Sequence, residues 1–388
     1  MTVLSTPKKT PAMNLHAWPD VQSCSDIASP GLLLNLDLVR SNLEKMLQHV
    51  GGEVSRLRPH VKTHKMSRLI QLQLGVGIDQ FKVATLAEAE MVASCGAKDV
   101  LIAYPMVGPN LRMLESLQNA YPSTTFSCLI DHLDGLEILC EFSSKRNDFP
   151  IGVWVDVDCG MHRTGVPFGS RLNQLRSSID PSRGVVYRGL HVYDGHLHQP
   201  SLDERQSGAL TIKEAIEADL TRDPSSEVVV GGSPTFGFWA RETPWQCSPG
   251  TPVFWDAGYG GNYLEFGFST AVCLLTRVIS KPGEGLLCLD MGYKSIASEM
   301  PLERRVVFPE LPDARLIGQS EEHLVLRSEL ADSVKIGEAF FAVPRHICPT
   351  IALHSSVQII EGGRLTSERW SIDARDRMLP THTGVLSD

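Results

Sequence analysis

One lysine stands in a setting that chemistry can use. The stretch RLRPHVKTHK, residues 56–65, places Lys62 just after a Pro-His-Val run, with Arg58, His60, His64 and Lys65 as its neighbours. A residue before proline is pushed away from helical geometry, so Arg58 and Pro59 lead into extended chain and Lys62 falls near a strand end. Parallel α/β folds carry their chemistry at such ends. Partial desolvation and crowding by cations lower an amine's pKa and free its lone pair, as a Schiff-base lysine requires. The same ten residues also read as a basic strand end on a solvated rim, and the rest of the chain must decide.

Three further stretches end in residues of the same kind. VDVDCGMHRTGV, residues 155–166, runs a strand into a loop carrying Arg163. GLHVYDGHLH, residues 189–198, presents Tyr193 and His196 at another strand end. VVVGGSPT, residues 228–235, runs into Gly231, Gly232, Ser233 and Thr235, where bare amides and hydroxyls suit a phosphate. Gly-Gly-Ser-Pro is also a plain turn, and a loop arginine is ordinarily a rim salt bridge. Together, an early lysine, a midway arginine and a late phosphate turn are the layout that pyridoxal phosphate needs.

A fifth stretch, PRHICPT at residues 344–350, sets His346 and Cys348 two apart. On a strand that spacing puts both side chains on one face. Histidine beside cysteine is a two-ligand platform for a borderline-soft divalent ion, with zinc preferred and manganese or magnesium accepted. Two ligands leave the shell to be completed by water or substrate. The plain alternative is a half-buried strand in which both side chains only pack.

The elements that must position these residues alternate. Strand-like runs GLLLN, RPHVK, DQFKVAT, DVLIAYP, TFSCLID, IGVWVDVDCG, YRGLHVYDGH and EVVVGGSPT are separated by helix-length segments. About eight such units predict a parallel α/β fold closed into a (β/α)8 TIM-like barrel over residues 31–250, with an open doubly wound sheet as the alternative. From about residue 250 the pattern changes to short strands with turn residues between them, from TPVFWDAGYGG to RLTSERWSIDARDR. This predicts an all-β domain over 251–388, with residues 1–30 as a leader.

Composition narrows the function classes. A net charge of −9 argues against a nucleic-acid partner, and 42% hydrophobic with 21% charged residues is ordinary for a globular protein. No apolar run reaches transmembrane length and the N-terminus lacks a signal-peptide core, so no membrane partner and a cytoplasmic location are expected. Nine cysteines without a repeated CxxC spacing argue against a disulfide framework. A small-molecule partner is expected.

Taken in order, RPHVKTHK, DCGMHRTGV, YDGHLH, GGSPT and HICPT resemble the D-threonine aldolase and D-serine dehydratase family. These are pyridoxal-phosphate enzymes of the alanine-racemase-like fold with a divalent metal beside the cofactor. The resemblance runs from about residue 25 to the C-terminus. It implies that Lys62 is the Schiff-base lysine, that Arg163, Tyr193 and the turn from Gly231 to Thr235 surround the cofactor, and that His346 and Cys348 bind the metal. It also implies that the segment 1–30 joins the β domain, that the protein is a homodimer, and that the substrate is a D-amino acid with a β-hydroxyl.

Two reactions fit that substrate. Retro-aldol cleavage breaks Cα–Cβ and gives glycine and an aldehyde; dehydration gives a keto acid and ammonia. The His-x-Cys pair resembles the dehydratases, since familiar aldolases of the group carry aspartate at the cysteine position. EGGRLTSERWSIDARDR and SEEH, residues 320–323, resemble the aldolases, which is the reading adopted. His196, Glu322 and His323 are candidate general bases, and each also serves as a plain hydrogen-bonder. A cofactor carrier or an amino-acid racemase are the alternatives from other classes, and neither needs the metal pair.

Overall fold

The computed structural model describes residues 13–145 and 150–377, so residues 1–12 of the expected leader lie outside it. The described chain forms two compact units. One takes residues 47–62 and 66–250, joined by 376–377; the other takes 13–46, 63–65 and 251–375.

In the first unit, parallel strands run in the order Gln80–Val83, Asp99–Pro105, Thr125–Ile130, Ile151–Asp158, Val185–Val192, Glu227–Val230 and Gln246–Cys247. Helices Leu86–Ser94, Asn110–Ala120, Leu133–Ser143 and Leu202–Leu220 fill the crossovers. Residues 57–60 close the ring. Leu57 bridges Cys247 and His60 bridges Lys82, with Arg58 N donating to Cys247 O and Lys82 N to Pro59 O, both at 2.9 Å. The proline that forbids helix before it therefore makes the eighth stave. The turn Val61–Thr63 follows this stave and carries Lys62 as its middle residue.

The barrel is filled, not hollow. Trp154 packs with Leu101, Leu129 and Val229. Arg58 is 1% exposed and lies 5.5 Å from the Trp154 ring. Its guanidinium reaches Asp99 Oδ1 at 2.5 Å and Gln246 Oε1 at 2.8 Å, both residues at the first positions of their strands.

The second unit holds a mixed sheet of nine strands among the described residues. Val272–Ser280 lies near its centre, pairing with Leu286–Leu289, Ala339–Pro344 and Gly31–Asn35. Trp18 packs 5.7 Å from Phe341 in a core with Met13, Cys24, Leu33 and Cys273.

Two expectations are corrected here. The strand Gly31–Asn35, read as the opening of the barrel, pairs instead with Val272–Ser280 and, in parallel, with Ser356–Glu361. GLLLN is apolar at almost every position, and such a run suits the centre of either sheet. The TPVFWDAGYGG stretch, read as a strand, forms the turn Thr251–Val253 and the helix Ala257–Asn262. Asp256 caps that helix, accepting from Tyr259 N at 2.8 Å.

All nine cysteines are free thiols. No helix among the described residues is long and apolar enough to cross a membrane.

Candidate active site

A cavity of about 620 Å³ lies in the barrel unit and is lined by Lys62, Lys82, Arg163, His191, Tyr193 and others. Tyr193, just past the strand Val185–Val192, gathers three cations around one ring. Arg163 Cζ stands 4.9 Å from its centroid, Lys82 Nζ 5.5 Å and Lys62 Nζ 6.0 Å. Three of the expected residues, Lys62, Arg163 and Tyr193, thus meet at one site.

The Arg163 loop is fixed by its own backbone. Asp158 accepts from the amides of Gly160 and His162, both at 3.0 Å, and from His162 Nδ1 at 2.7 Å. Burial works against the Asp158 charge, but these bonds outweigh it and hold the carboxyl below its usual range. Gly160 adopts φ +124°, and a Cβ there would stand 3.0 Å from His196 Nε2. His196 therefore packs on this loop, with a buried Nδ1 that has no hydrogen-bond partner.

The Gly231–Thr235 turn also reaches Tyr193. A Cβ on Gly232 would stand 3.2 Å from Tyr193 Cε2, and one on Gly231, at φ +79°, would collide with the Trp239 ring. Ser233 and Thr235 are buried, and Ser233 Oγ accepts from Gly250 N at 3.2 Å. Ser248, just past the strand Gln246–Cys247 and bonded through its N–H to Val230 O at 3.1 Å, keeps a buried Oγ without a partner. A turn stripped of Cβ atoms, with buried hydroxyls and neighbouring cations, fits a phosphate-bearing aromatic cofactor.

Of the neighbours expected to crowd Lys62, His60 lines the same cavity, but part of the crowding comes from a residue the sequence reading passed over. Arg58 is turned to the other end of the barrel and neutralised by Asp99. Lys82 takes its place. This side chain is 3% exposed, and its Nζ lies 3.2 Å from His191 Nε2. His191 Nδ1 lies 2.7 Å from Asp156 Oδ1, and Thr164 donates to Asp156 Oδ2 at 2.7 Å. Burial, then the Lys62 charge, lower the Lys82 ammonium to about 7. Burial, then Lys82, also hold His191 below its usual value, so its ring is neutral at neutral pH. A charged residue inside the apolar strand run FKV was the available signal.

The second unit holds the His-x-Cys pair. His346 and Cys348 do not sit on a strand: Ala339–Pro344 ends before them, and His346 caps the helix Ile347–Ile351. Pro349 fits the first turn of a helix, where its missing N–H costs nothing. His346 Nδ1 lies 2.6 Å from Glu299 Oε1. Cys348 Sγ lies 3.2 Å from Thr63 Oγ1 and 3.7 Å from Thr251 Oγ1. Partial burial disfavours the imidazolium, but Cys348, Glu299 and Asp256 outweigh it and raise His346 to about 9. Such an electron-rich set, with a carboxylate orienting the histidine, is the surrounding that a metal-ligating imidazole has. Among the described residues no group of three or more acidic, histidine or cysteine side chains is arranged to hold a metal ion. The pair fits an open, two-point platform.

His323 lies elsewhere. It is exposed in the turn between Arg315–Gln319 and Leu324–Arg327, where Glu322 pairs with Lys294 at 3.4 Å.

Residues 34–254 match the alanine racemase N-terminal domain. The chain belongs to that family. Residues 271–360 match a putative serine dehydratase domain, so this alanine-racemase-like barrel carries a dehydratase-type second unit. The 3-hydroxy-D-aspartate aldolase of Paracoccus denitrificans (strain Pd 1222) is 28% identical over 377 residues, covering 91% of this chain and 93% of that protein. The D-threonine aldolase of an Arthrobacter species is 27% identical over 363 residues, covering 90% and 93%. The crystal structure of D-threonine aldolase from Filomicrobium marinum superposes with a TM-score of 0.82 at 27% identity, covering 90% of this chain and 96% of that one. Aldolases and dehydratases are both lyases, and this member of the family is an enzyme of that class.

Proposed function

We propose that the chain is a pyridoxal-phosphate- and divalent-metal-dependent lyase acting on D-3-hydroxy amino acids, with retro-aldol cleavage to glycine and an aldehyde as its reaction. The observation that carries this reading is the meeting of Lys62, Arg163 and Tyr193 at one cation-rich cavity. When bound, the cofactor supplies an electron sink for charge at Cα, and the metal supplies a Lewis acid for the β-hydroxyl.

The residues divide the work. Lys62 holds the cofactor aldehyde. Arg163, laid over Tyr193, and the Gly231–Thr235 turn receive the ring and phosphate. A guanidinium facing the ring nitrogen would keep it unprotonated and limit its use as a full electron sink. His346 and Cys348 hold the metal, with Glu299 orienting the histidine. His196, with its buried and unpartnered Nδ1, holds or moves a proton. His323, in an exposed turn, is the other candidate base. The enzyme works as a homodimer, the assembly that its resemblance implies.

A second reading is favoured by one observation, the histidine–cysteine donor pair, which resembles the dehydratases. Dehydration of the same substrates would give a keto acid and ammonia. Product analysis separates the two. D-threonine giving glycine and acetaldehyde, or 3-hydroxy-D-aspartate giving glycine and glyoxylate, with loss on chelation, supports the aldolase. Pyruvate and ammonia from D-serine would replace it with the dehydratase. A chelator-resistant racemase activity would overturn both.

A further inference from the structure

The cavity contains more amines than a cofactor aldehyde needs. Lys62 and Lys82 both line it and both stand within 6.0 Å of the Tyr193 centroid. Lys82 is held differently from an ordinary lysine. It rises from the strand Gln80–Val83 between buried Phe81 and Val83, and is itself buried.

Behind it runs a fixed chain of polar groups. Thr164 Oγ1 donates to Asp156 Oδ2 at 2.7 Å, and His191 Nδ1–H donates to Asp156 Oδ1 at 2.7 Å. That assignment leaves His191 Nε2 with its lone pair facing outward, and Lys82 Nζ lies 3.2 Å from it. One Lys82 hydrogen is therefore committed to His191. The rest of the amine is left for whatever occupies the cavity.

We propose that Lys82 is a second catalytic amine of this site, a proton-carrying group that contacts the bound cofactor or substrate, with His191 and Asp156 as its positioning residues. The inference rests on the proposed cofactor site and deepens it. Lyase chemistry on an amino acid needs a group that returns a proton to carbon or oxygen, whichever bond is cut. Lys62 is tied up whenever it holds the cofactor aldehyde, whereas Lys82 keeps its amine at every stage. Lys82 can give a proton and take it back, because His191 accepts from either form and Asp156 balances the charge.

The groups facing Lys82 set where it titrates. Burial, Lys62 and Arg163 push its ammonium down to about 7, while Asp156 and Asp194 pull it up. An anionic occupant would raise it further, so the loaded enzyme should show an inflection at or above that value. An ordinary surface lysine titrates about three units higher.

The test uses the loaded enzyme and two readouts, the pH dependence of kcat and that of the cofactor's visible absorption. Wild type should show the same inflection in both. Lys82→Met should lose it from both and lower kcat on the order of 10²-fold or more. Lys82→Arg, which keeps a cation but does not titrate, should also give flat profiles. Asp156→Asn removes a charge that favours the ammonium and should move the inflection down. Borohydride-trapped cofactor on Lys62 and unchanged circular dichroism certify each variant as loaded and folded.

If Lys82→Met is folded and loaded but keeps both inflections, Lys82 is only a packing residue and the inference fails. If Lys82→Met does not fold, retention of both inflections in Lys82→Arg overturns it in the same way. If wild type takes up no cofactor on Lys62, the underlying reading fails first, and the two failures are told apart by the trapping step.

Discussion

Trp239 Nε1 donates to Asp194 Oδ2 across 2.7 Å, with both side chains buried in the barrel unit. This bond ties the segment after the Val185–Val192 strand, which carries Tyr193, to the helix Phe236–Glu242 that follows the Gly231–Thr235 turn. Two parts of the proposed cofactor site are thereby held in register.

The carboxyl that makes this tie is ionised at a cost. Burial is the largest influence on Asp194 and raises its pKa above the ordinary 3.8. Below that value the group is protonated in both folded and unfolded chains and burial costs nothing. As pH rises from 3.8 to the raised value, the unfolded chain ionises first and folded stability is lost. Asp194→Asn keeps an oxygen for Trp239 and removes the titration. The melting-temperature difference, variant minus wild type, should grow from about pH 3.8 upward and then level off; a difference flat with pH would contradict the account.

Gly231 is at φ +79° with the Trp239 ring against the place a Cβ would take. Gly231→Ala should lose about 1–3 kcal/mol of stability from backbone strain, with the ring clash adding to it. Gly232 is different: its φ is extended, and a Cβ would stand 3.2 Å from Tyr193. Gly232→Ala should leave stability nearly unchanged and weaken cofactor binding. Urea unfolding and cofactor titration of the two variants measure the contrast.

At the opposite end of the barrel, Asp99 pairs with the fully enclosed Arg58 at 2.5 Å and with Arg188 at 3.1 Å. Asp99→Ala strands a buried guanidinium, and the loss should be about 3–5 kcal/mol in urea unfolding. Because this cluster is remote from Lys62 along the strands, the folded fraction should keep its cofactor affinity.

In the second unit, Glu299 lies 2.6 Å from His346 Nδ1. Glu299→Gln should weaken divalent-metal affinity about 10–100-fold, the usual effect of removing an orienting carboxylate. Cys348→Ala should abolish stoichiometric binding if the proposed pair holds the metal, since it removes one of the two proposed side-chain donors. Metal titration of the purified protein reads both, independently of turnover.

Lys62 was legible in the sequence because proline restricts the chain before it, and that local rule survives in the folded barrel as the closing stave. Tyr193 and Arg163 were legible because each follows an unmistakable apolar strand. Lys82, His191 and Asp156 were not, because a strand buried on both faces shows no alternation to say which side chains point inward. Cys348 and His346 were singled out for their chemistry but expected on the wrong element. Ile, Cys and Thr resemble strand residues, while Pro349, tolerated in a first helical turn, was the better guide.

The claim on which the rest depends is that Lys62 holds the cofactor, and one measurement meets it directly. Protein loaded with pyridoxal phosphate is reduced with borohydride, digested, and the modified peptide sequenced by mass spectrometry. The account predicts a single pyridoxyl adduct on Lys62. An adduct on Lys82 instead, or no adduct on either lysine of the cavity, would contradict it.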